Sequence, residues 1–413
     1  MGITRRIFMK GGAMTVVGMA AVPEFLARAA MAAETGQAHK RLVVIFQRGA
    51  ADGLNIVVPH GEAAYYTLRP TIAIPRREVI DLDGFFGLHP AMSALQPVWN
   101  AGHLAMVHAA GSPDPTRSHF DAQDFMESGT PGVKTTEDGW LNRALLALSA
   151  GKQQEQKNAA FRAVALGTAL PRILSGRAPA LAVGNVNDFG VAPHNPQPLA
   201  STFESMYEGS VDSVLHGTAQ ETFDAVKMLK ASKPASYRPA AGVSYPKGHF
   251  ADELKQTAQL VKANLGVQVV FTDVGGWDNH VNEGAGEGQL ANLLKEFSGS
   301  LAAFWQDLGP LAEDTVVVTM TEFGRTAREN GDRGTDHGHA SVMFVMGGAV
   351  RGGKMYGHWP GLANEQLHEQ RDLALTTDFR QVMAEAVAKQ LGNPRMESIF
   401  PGFRNPGVLH LLG

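Results

Sequence analysis

An α/β fold built around a mostly parallel sheet is predicted by three features of the 413-residue sequence. Four short apolar runs are typical of strands that a parallel sheet buries on both faces. The leucines and phenylalanines of residues 290–308 follow helical spacing, so the helix they predict completes a right-handed βαβ unit between two of the runs. A composition of 44% hydrophobic and 18% charged residues suits a globular domain. The runs are 41–47, 267–272, 315–319 and 341–346.

Composition excludes several classes of chemistry. The chain contains no cysteine, so disulfides, thiolate zinc sites and thiol nucleophiles are impossible. Any reaction must therefore use His, Asp, Glu, Ser or Thr. The formal net charge of −4 lacks the basic excess that binds nucleic acid, and we expect no nucleic-acid partner.

Residues 1–33 are predicted to be an export signal. Thr4-Arg5-Arg6-Ile7-Phe8-Met9-Lys10 has the twin-arginine form, and alanines near residues 27–33 offer cleavage sites. The apolar stretch between them has about 12 residues, whereas a membrane span needs about 20. A chance Arg-Arg pair ahead of an anchoring helix is the alternative. We expect the twin-arginine machinery to export the protein, to the periplasm or beyond, without a stable membrane span.

Two strand ends carry acidic residues. Asp52 follows the run 41–47, and Asp273, Asp278 and His280 follow the run 267–272. In open α/β sheets ligands bind beyond the carboxyl ends of strands, where these side chains fall. Carboxylates with an imidazole are typical metal ligands. For Asp52 the alternative is that Asp-Gly only forms a turn.

A third cluster surrounds the loop between the last two runs. Glu322 and Arg325 follow the run 315–319, and Asp336-His337-Gly338-His339 leads into the run 341–346. A carboxylate at one strand end and a His-x-His at the next strand's entry are typical of a metal or phosphate site. The alternative is that Glu322 and His337 cap turns.

A turn rich in hydroxyl groups precedes a helix predicted at 121–127. It holds Thr116, Arg117, Ser118 and His119. Backbone amides and the helix N-terminus would attract an anion there. A helix cap made by Thr116 or Ser118 is the alternative.

The middle of the chain carries no recognisable chemistry. Residues 145–250 are predicted to be an inserted segment, with a mostly helical stretch at 203–231 and an exposed helix or loop at 153–158. Nucleophile-elbow, zincin, Walker and dinucleotide-binding motifs are absent from the sequence.

The clusters, in this order, resemble the alkaline phosphatase and sulfatase superfamily. The chain is identified as a member of domain-of-unknown-function family 1501, a branch with twin-arginine export. The resemblance implies an alkaline-phosphatase-like three-layer α/β sandwich over residues 41–413. Besides the twin-arginine start, the segments that carry it are Arg48-Gly49-Ala50-Ala51-Asp52-Gly53, Arg117-Ser118-His119-Phe120-Asp121-Ala122-Gln123, Gly275-Gly276-Trp277-Asp278-Asn279-His280, Thr321-Glu322-Phe323-Gly324-Arg325 and Asp336-His337-Gly338-His339.

The resemblance also implies a set of metal ligands. Asp52 would hold one ion near the nucleophile, and Asp273 or Asp278 with His280 would join His339 around the other. Glu322-Phe323-Gly324 falls where the superfamily has Asp-His-Gly, and the phenyl ring of Phe323 cannot coordinate. We therefore expect one tightly held divalent ion (Zn, Mg, Ca or Mn) and a second that is weak or absent, with His337 as a further candidate ligand.

By the same resemblance the function is a metal-dependent hydrolase of phosphate or sulfate esters, with an anionic ester or glycan as its substrate. A cysteine-derived formylglycine is impossible here, so Thr116 is the first nucleophile candidate, followed by Ser118 and Ser112. Arg117 or Arg325 would hold the charged ester oxygens. The alternative is a catalytically degenerate member that acts as a binding or assembly protein in the periplasm.

Overall fold

The computed structural model describes residues 9–10, 13–14, 40–149, 161–186, 236–393 and 395–413. Most of the predicted export signal, the stretch at 153–158 and the predicted helix at 203–231 lie outside these residues. The predicted insertion at 145–250 is therefore described only in part. In the described ranges, no helix combines the length and the hydrophobicity that a membrane crossing requires.

The strands carry most of the apolar runs found in the sequence. In chain order they are β1 Met9–Lys10, β2 Ala13–Met14, β3 Arg41–Gln47, β4 Val57–Val58, β5 Ile80–Asp81, β6 Gly87–Leu88, β7 Leu104–Gly111, β8 Ala163–Leu166, β9 Leu181–Val183, β10 Val269–Val274, β11 Thr315–Met320, β12 Ser341–Gly347, β13 Lys354–Tyr356 and β14 Thr377–Asp378.

A nine-stranded sheet runs through the middle of the described structure. Its order is β13-β7-β12-β11-β3-β10-β8-β9, and β14 also pairs with β7. Strand β12 is antiparallel to β7 and β11, and the other pairs are parallel. Strands β4, β6 and β5 form a small separate sheet, and β1 pairs with β2.

The α-helices of the described residues are α1 Gly53–Ile56, α2 Ala63–Leu68, α3 Gln96–Asn100, α4 His119–Ser128, α5 Trp140–Ser149, α6 His249–Lys262, α7 Gln289–Leu308, α8 Phe379–Gln390 and α9 Met396–Ile399. Short 3-10 helices lie at Pro90–Leu95, Arg172–Leu174, Gly309–Asp314 and Asn364–Gln366.

Helices cover both faces of the sheet. Alternate residues of β3 point to opposite sides, so Val43 and Ile45 join a core with α6 and α7, whereas Leu42 and Val44 join a core with α5 and α8. Both cores consist of buried aliphatic and aromatic side chains, whose removal from water stabilises the layers. The predicted three-layer α/β sandwich with a mostly parallel sheet is confirmed.

The sheet register brings the loops with polar clusters to one edge. Gln47 at the end of β3 pairs with Val274 at the end of β10, and Met320 at the end of β11 pairs with Phe46. Because β12 runs the other way, its first residue, Ser341, lies at the same edge. The loops after three strands and the loop before a fourth therefore meet there.

Candidate metal centre

Four side chains from three loops converge at this edge. The Nε2 atom of His337 lies 3.0 Å from Nε2 of His119, 3.0 Å from Nε2 of His280 and 3.2 Å from Oδ1 of Asp278. The same Asp278 oxygen is 2.9 Å from His280 Nε2. Within the described part of the chain, His119, Asp278 and His337 are the one group of three or more His, Asp or Glu residues that could hold a metal ion.

Each ligand has a fixed backbone origin. His119 begins α4, where Ser118 is the N-cap and its hydroxyl faces the amide of Asp121. Asp278 follows β10 on a loop that lies against Gly49. A Cβ atom at Gly49 would stand 2.9 Å from the Asp278 nitrogen, and its φ of +117° also favours glycine, so the close approach of these loops depends on that residue.

All three imidazoles direct Nδ1 at an oxygen acceptor. Such acceptors place the ring proton on Nδ1 and leave the Nε2 lone pair facing the other ligands, as in metal sites where a second hydrogen bond orients the histidine. The pairs are His119 with Glu322 Oε1 at 2.8 Å, His337 with the Arg117 carbonyl at 3.1 Å and His280 with Asp336 Oδ1 at 3.3 Å.

The donor set fits a divalent ion. Lone pairs and a carboxylate oxygen about 3 Å apart repel one another unless a proton or a cation lies among them. Tetrahedral bonds of about 2.1 Å place ligand atoms about 3.4 Å apart, close to the 3.0–3.2 Å distances from His337 Nε2 to the other three side chains. Imidazole nitrogens with one carboxylate suit Zn²⁺ or a similar transition ion better than Mg²⁺ or Ca²⁺.

Glu322, predicted as a metal ligand, lies behind His119. Its side chain is fully buried and accepts hydrogen bonds from the Gly49 amide and the Gln123 side-chain amide, both at 2.9 Å, as well as from His119. Burial acts to raise the pKa of Glu322, but the bonds from His119 and Gln123 outweigh it and lower the pKa. Glu322 is therefore an ionised acceptor that orients His119.

Arg325 has a similar supporting position behind Asp278. Its Nη2 atom donates to Asp278 Oδ1 at 2.6 Å, and burial, which raises the pKa of Asp278, is outweighed by this guanidinium, so the pKa falls. The Arg325 side chain is fully buried, its Nη1 atom lies 3.5 Å from Nε2 of His280, and its N–H groups also donate to backbone carbonyls. Those carbonyls belong to Gly49, Ala50, Trp277 and Thr335.

Two predicted carboxylate ligands are paired with arginines instead. Asp52 is buried and accepts from both Nη atoms of the fully buried Arg69, at 2.5 and 2.9 Å. Asp273 forms an ion pair with Arg48. The structure therefore does not bring Asp52 or Asp273 into the group with His337.

His339 also lies apart from the group. Its ring stacks on His368 with the centroids 4.3 Å apart, and its side chain is buried. Burial lowers the pKa of His339 to about 4, so the ring is neutral at ordinary pH. His337, two residues earlier and also a candidate ligand, contacts His119, Asp278 and His280.

The hydroxyl-rich turn at residues 116–119 contacts the metal centre through a backbone group, because the Arg117 carbonyl faces Nδ1 of His337. Thr116 is half-buried, and its hydroxyl accepts from the Ser118 amide at 3.2 Å. Ser112 is buried and accepts from the Asp114 amide. The Arg117 side chain points to two acids, Glu369 and Asp372, each 2.6 Å away. The structure thus joins His119 to the centre and leaves the Arg117 guanidinium outside it.

Several supporting residues escaped the sequence analysis. Gln123 follows His119 by four residues, so both face Glu322 from one side of α4, and that spacing was a usable signal. Nothing in the sequence marked Arg69 as the partner of Asp52. Phe323 stands where the resemblance implied a ligand histidine. Its ring centroid lies 5.0 Å from that of His119 and 5.1 Å from that of His337, so it packs against both imidazoles.

The chain has clear family relatives and distant structural ones. The family model described as "Protein of unknown function (DUF1501)" matches residues 39–395, and no curated protein matches. Similar solved structures include the lipoteichoic acid synthase LtaP from Listeria monocytogenes, at 10% identity and TM-score 0.34, covering 77% of this chain and 68% of that one. The PsFucS1 sulfatase from Pseudoalteromonas sp. has 12% identity and TM-score 0.35, covering 81% and 68%.

Proposed function

We propose that this chain, which belongs to the DUF1501 family of proteins of unknown function, is an exported metal-dependent hydrolase of phosphate or sulfate esters. The observation that carries the proposal is the convergence of three Nε2 atoms and a carboxylate oxygen, each imidazole being fixed through Nδ1. Such preorganisation is costly for a purely structural cluster and is typical of a metal site.

His119, Asp278 and His337 would hold the ion, with His280 beside them. A divalent ion there would polarise an ester oxygen and lower the pKa of a water molecule. Arg325 keeps Asp278 ionised and oriented, and Glu322 keeps the His119 lone pair free for binding. Side-chain exposure of 47% at Asp278 and 39% at His280 leaves this centre open to a substrate from solvent.

A second candidate is the catalytically degenerate binding protein. The observation that favours it is the engagement of both arginines that were expected to hold the ester oxygens. Arg325 is saturated by carbonyls and Asp278, and Arg117 is paired with Glu369 and Asp372. With both of these guanidiniums engaged, neither is free to stabilise the charge of the transition state.

Metal analysis and an ester assay together test the proposal. After extensive dialysis we expect about one equivalent of a transition ion in the wild type and none in His337→Ala. The matched control is His358→Ala, because His358 is exposed and lies outside the group. Aryl phosphates and aryl sulfates should be hydrolysed only with the ion bound. Metal retention without turnover would favour the degenerate protein, and no metal uptake at all would refute both the centre and the hydrolase.

A further inference from the structure

Helix α4 carries three polar side chains on one stripe, and the first of them is the candidate metal ligand His119. Gln123 and Glu127 follow at intervals of four residues, so all three lie on the same side of the helix. Oε1 of Glu322 lies 2.8 Å from His119 Nδ1 and 2.9 Å from Gln123 Nε2. The later part of the stripe contacts Arg48, the residue that follows β3. The stripe therefore connects the candidate metal centre with the end of a central strand.

Arg48 uses three nitrogen atoms on three different side chains. Nη1 donates to Gln123 Oε1, and Nη2 forms an ion pair with Glu127 Oε1, each at 2.9 Å. Nε donates to Asp273 of β10. The guanidinium also lies over the ring of the fully buried Phe46, 4.4 Å from its centroid. One side chain therefore joins the ends of β3 and β10 to the stripe on α4.

The contact with Arg48 decides which way the Gln123 amide faces. Because a guanidinium only donates hydrogen bonds, the amide oxygen faces Arg48, and the NH2 group then faces Glu322. A flipped amide would present its oxygen to the Glu322 carboxylate and leave two acceptors in contact. Glu127 is buried and also accepts from the Ile173 amide at 2.9 Å, so the far end of the stripe is fixed as well.

We propose that Arg48 is a positioning residue for the candidate metal centre. Through Gln123 and Glu322 it holds the imidazole of His119 in the orientation that binds an ion. Lysine cannot replace this arginine, because one ammonium nitrogen does not reproduce a rigid fork with three separate acceptors. The role at the metal rests on the proposed function, whereas the orientation of His119 requires no ion.

Cobalt titration of the full chain tests the role at the metal. Arg48→Lys retains the charge, and Gln123→Leu retains the approximate size of the side chain. Each should weaken Co²⁺ binding about 10-fold, the lower end of the usual effect of losing an orienting partner. The double variant should bind no more weakly than Arg48→Lys alone, because both changes break the same path.

Arg162→Lys is the matched control. Arg162 also donates to a glutamine, Gln268 Oε1 at 2.9 Å, but this pair lies just before β8 and β10, at the amino ends of these strands. The candidate metal centre lies at the carboxyl ends. Arg162→Lys should therefore keep the cobalt affinity of the wild type.

The ring proton of His119 gives a readout that needs no metal. In the metal-free wild type, the Nδ1 proton that faces Glu322 should give a slowly exchanging downfield ¹H NMR signal, identified by its loss in His119→Ala. Arg48→Lys and Gln123→Leu should broaden or lose this signal, with circular dichroism and the unfolding midpoint recorded to show that each variant is folded. Arg162→Lys should retain it.

The two measurements separate this proposal from the hydrolase. Wild-type cobalt affinity or an unchanged ring-proton signal in the folded variants would overturn the proposal, as would equal losses in Arg162→Lys or no such signal in the wild type. If Arg48→Lys does not fold, Gln123→Leu decides. No cobalt binding by the wild type would refute the metal centre, and the ring-proton signal would then decide whether Arg48 positions His119.

Discussion

Nδ1 of His119 lies 2.8 Å from Oε1 of Glu322, a carboxylate whose side chain is completely buried. The hydrogen bond that His119 donates to Glu322 is the main cause of the raised pKa of His119. It ties the end of β11 to the first residue of α4, so the imidazole is oriented before any ion binds. A residue that the sequence suggested as a metal ligand thus lies behind the candidate metal centre and contacts it through another side chain.

Replacing Glu322 with Gln should weaken metal binding by about 10- to 100-fold, the usual effect of losing an orienting carboxylate. The amide is the same size, but it removes the negative charge and can present N–H to His119. Chelator competition measures the affinity. Glu365→Gln, an exposed change far from any ligand contact, is the control. Equal affinity in wild type and Glu322→Gln would show that His119 does not bind the ion.

Alanine substitutions at His337 and His339 are expected to have opposite effects on metal retention, although the two residues are only two positions apart. His337→Ala removes the central ligand and should release the ion under dialysis. His339→Ala should retain it, because that ring stacks on His368 instead of facing the other ligands. Elemental analysis distinguishes them, with the unfolding midpoint recorded because both side chains are partly or fully buried. Release by His339→Ala alone would restore the ligand set that the resemblance implied.

Sequence reasoning located the site's edge because strand ends are visible as apolar runs. Continuous runs predict parallel strands, and parallel strands align their carboxyl ends, so the loops with Asp278 and Glu322 were expected to meet. His337 lies at the same edge because β12, which it precedes, is antiparallel to β11. The choice between His337 and His339 depends on the path of the loop past Gly338. A Cβ there would lie 2.3 Å from the Arg325 carbonyl group, a packing constraint that no periodicity reveals.

The partners of charged groups were equally invisible in the sequence. Asp52 follows a strand, a position typical of a metal ligand. Its carboxylate nevertheless accepts hydrogen bonds from Arg69, which follows α2 and lies 17 residues away in the sequence. Arg325 was expected to contact substrate and is instead fully buried behind Asp278. Residue type and strand position identify candidates, whereas the three-dimensional packing of loops decides which charge neutralises which.

The hydroxyl turn offers a test of the attacking group. If Thr116 is the nucleophile, Thr116→Ala should abolish ester hydrolysis with little loss of stability, because removing a turn or cap hydroxyl costs about 1 kcal/mol. Ser118→Ala is the matched comparison, since Ser118 caps α4 beside His119. Loss of activity in Ser118→Ala alone would transfer the role to Ser118. Full activity in both variants would indicate attack by water.

The export proposal has its own test in the arginine pair. Changing Arg5 and Arg6 together to lysine retains the charge and removes the twin-arginine form. The double variant should remain in the cytoplasm as precursor, whereas the wild type should be processed and found in the periplasm. Changing Lys10 to Arg is the control and should leave export intact. Accumulation of the double variant in the periplasm would contradict export through the twin-arginine pathway.

A buried acid in contact with Thr335 and Asp52 supplies a pH prediction. Glu283 is fully buried, accepts a hydrogen bond from Thr335 at 2.8 Å and faces the Asp52 carboxylate. Burial, reinforced by Asp52, raises the pKa of Glu283 well above its ordinary value. For Asp52 burial acts in the same direction, but the ion pair with Arg69 outweighs it and lowers the pKa. The folded protein thus holds the Glu283 proton to a higher pH than the unfolded chain does, whereas Asp52 loses its proton at a lower pH than in the unfolded chain.

Glu283→Gln should therefore become increasingly more stable than the wild type as the pH rises. Above about pH 4.5 the unfolded wild type releases the Glu283 proton that the folded state retains, so wild-type stability falls by about 1.4 kcal/mol per pH unit until the raised folded pKa is reached. The glutamine does not titrate, and its amide can donate to Asp52 while its oxygen accepts from Thr335. Urea unfolding of both proteins between about pH 5 and 8 measures the difference in their free energies of unfolding. A gap that stays constant or narrows across that range would mean that Glu283 is ionised in the folded protein.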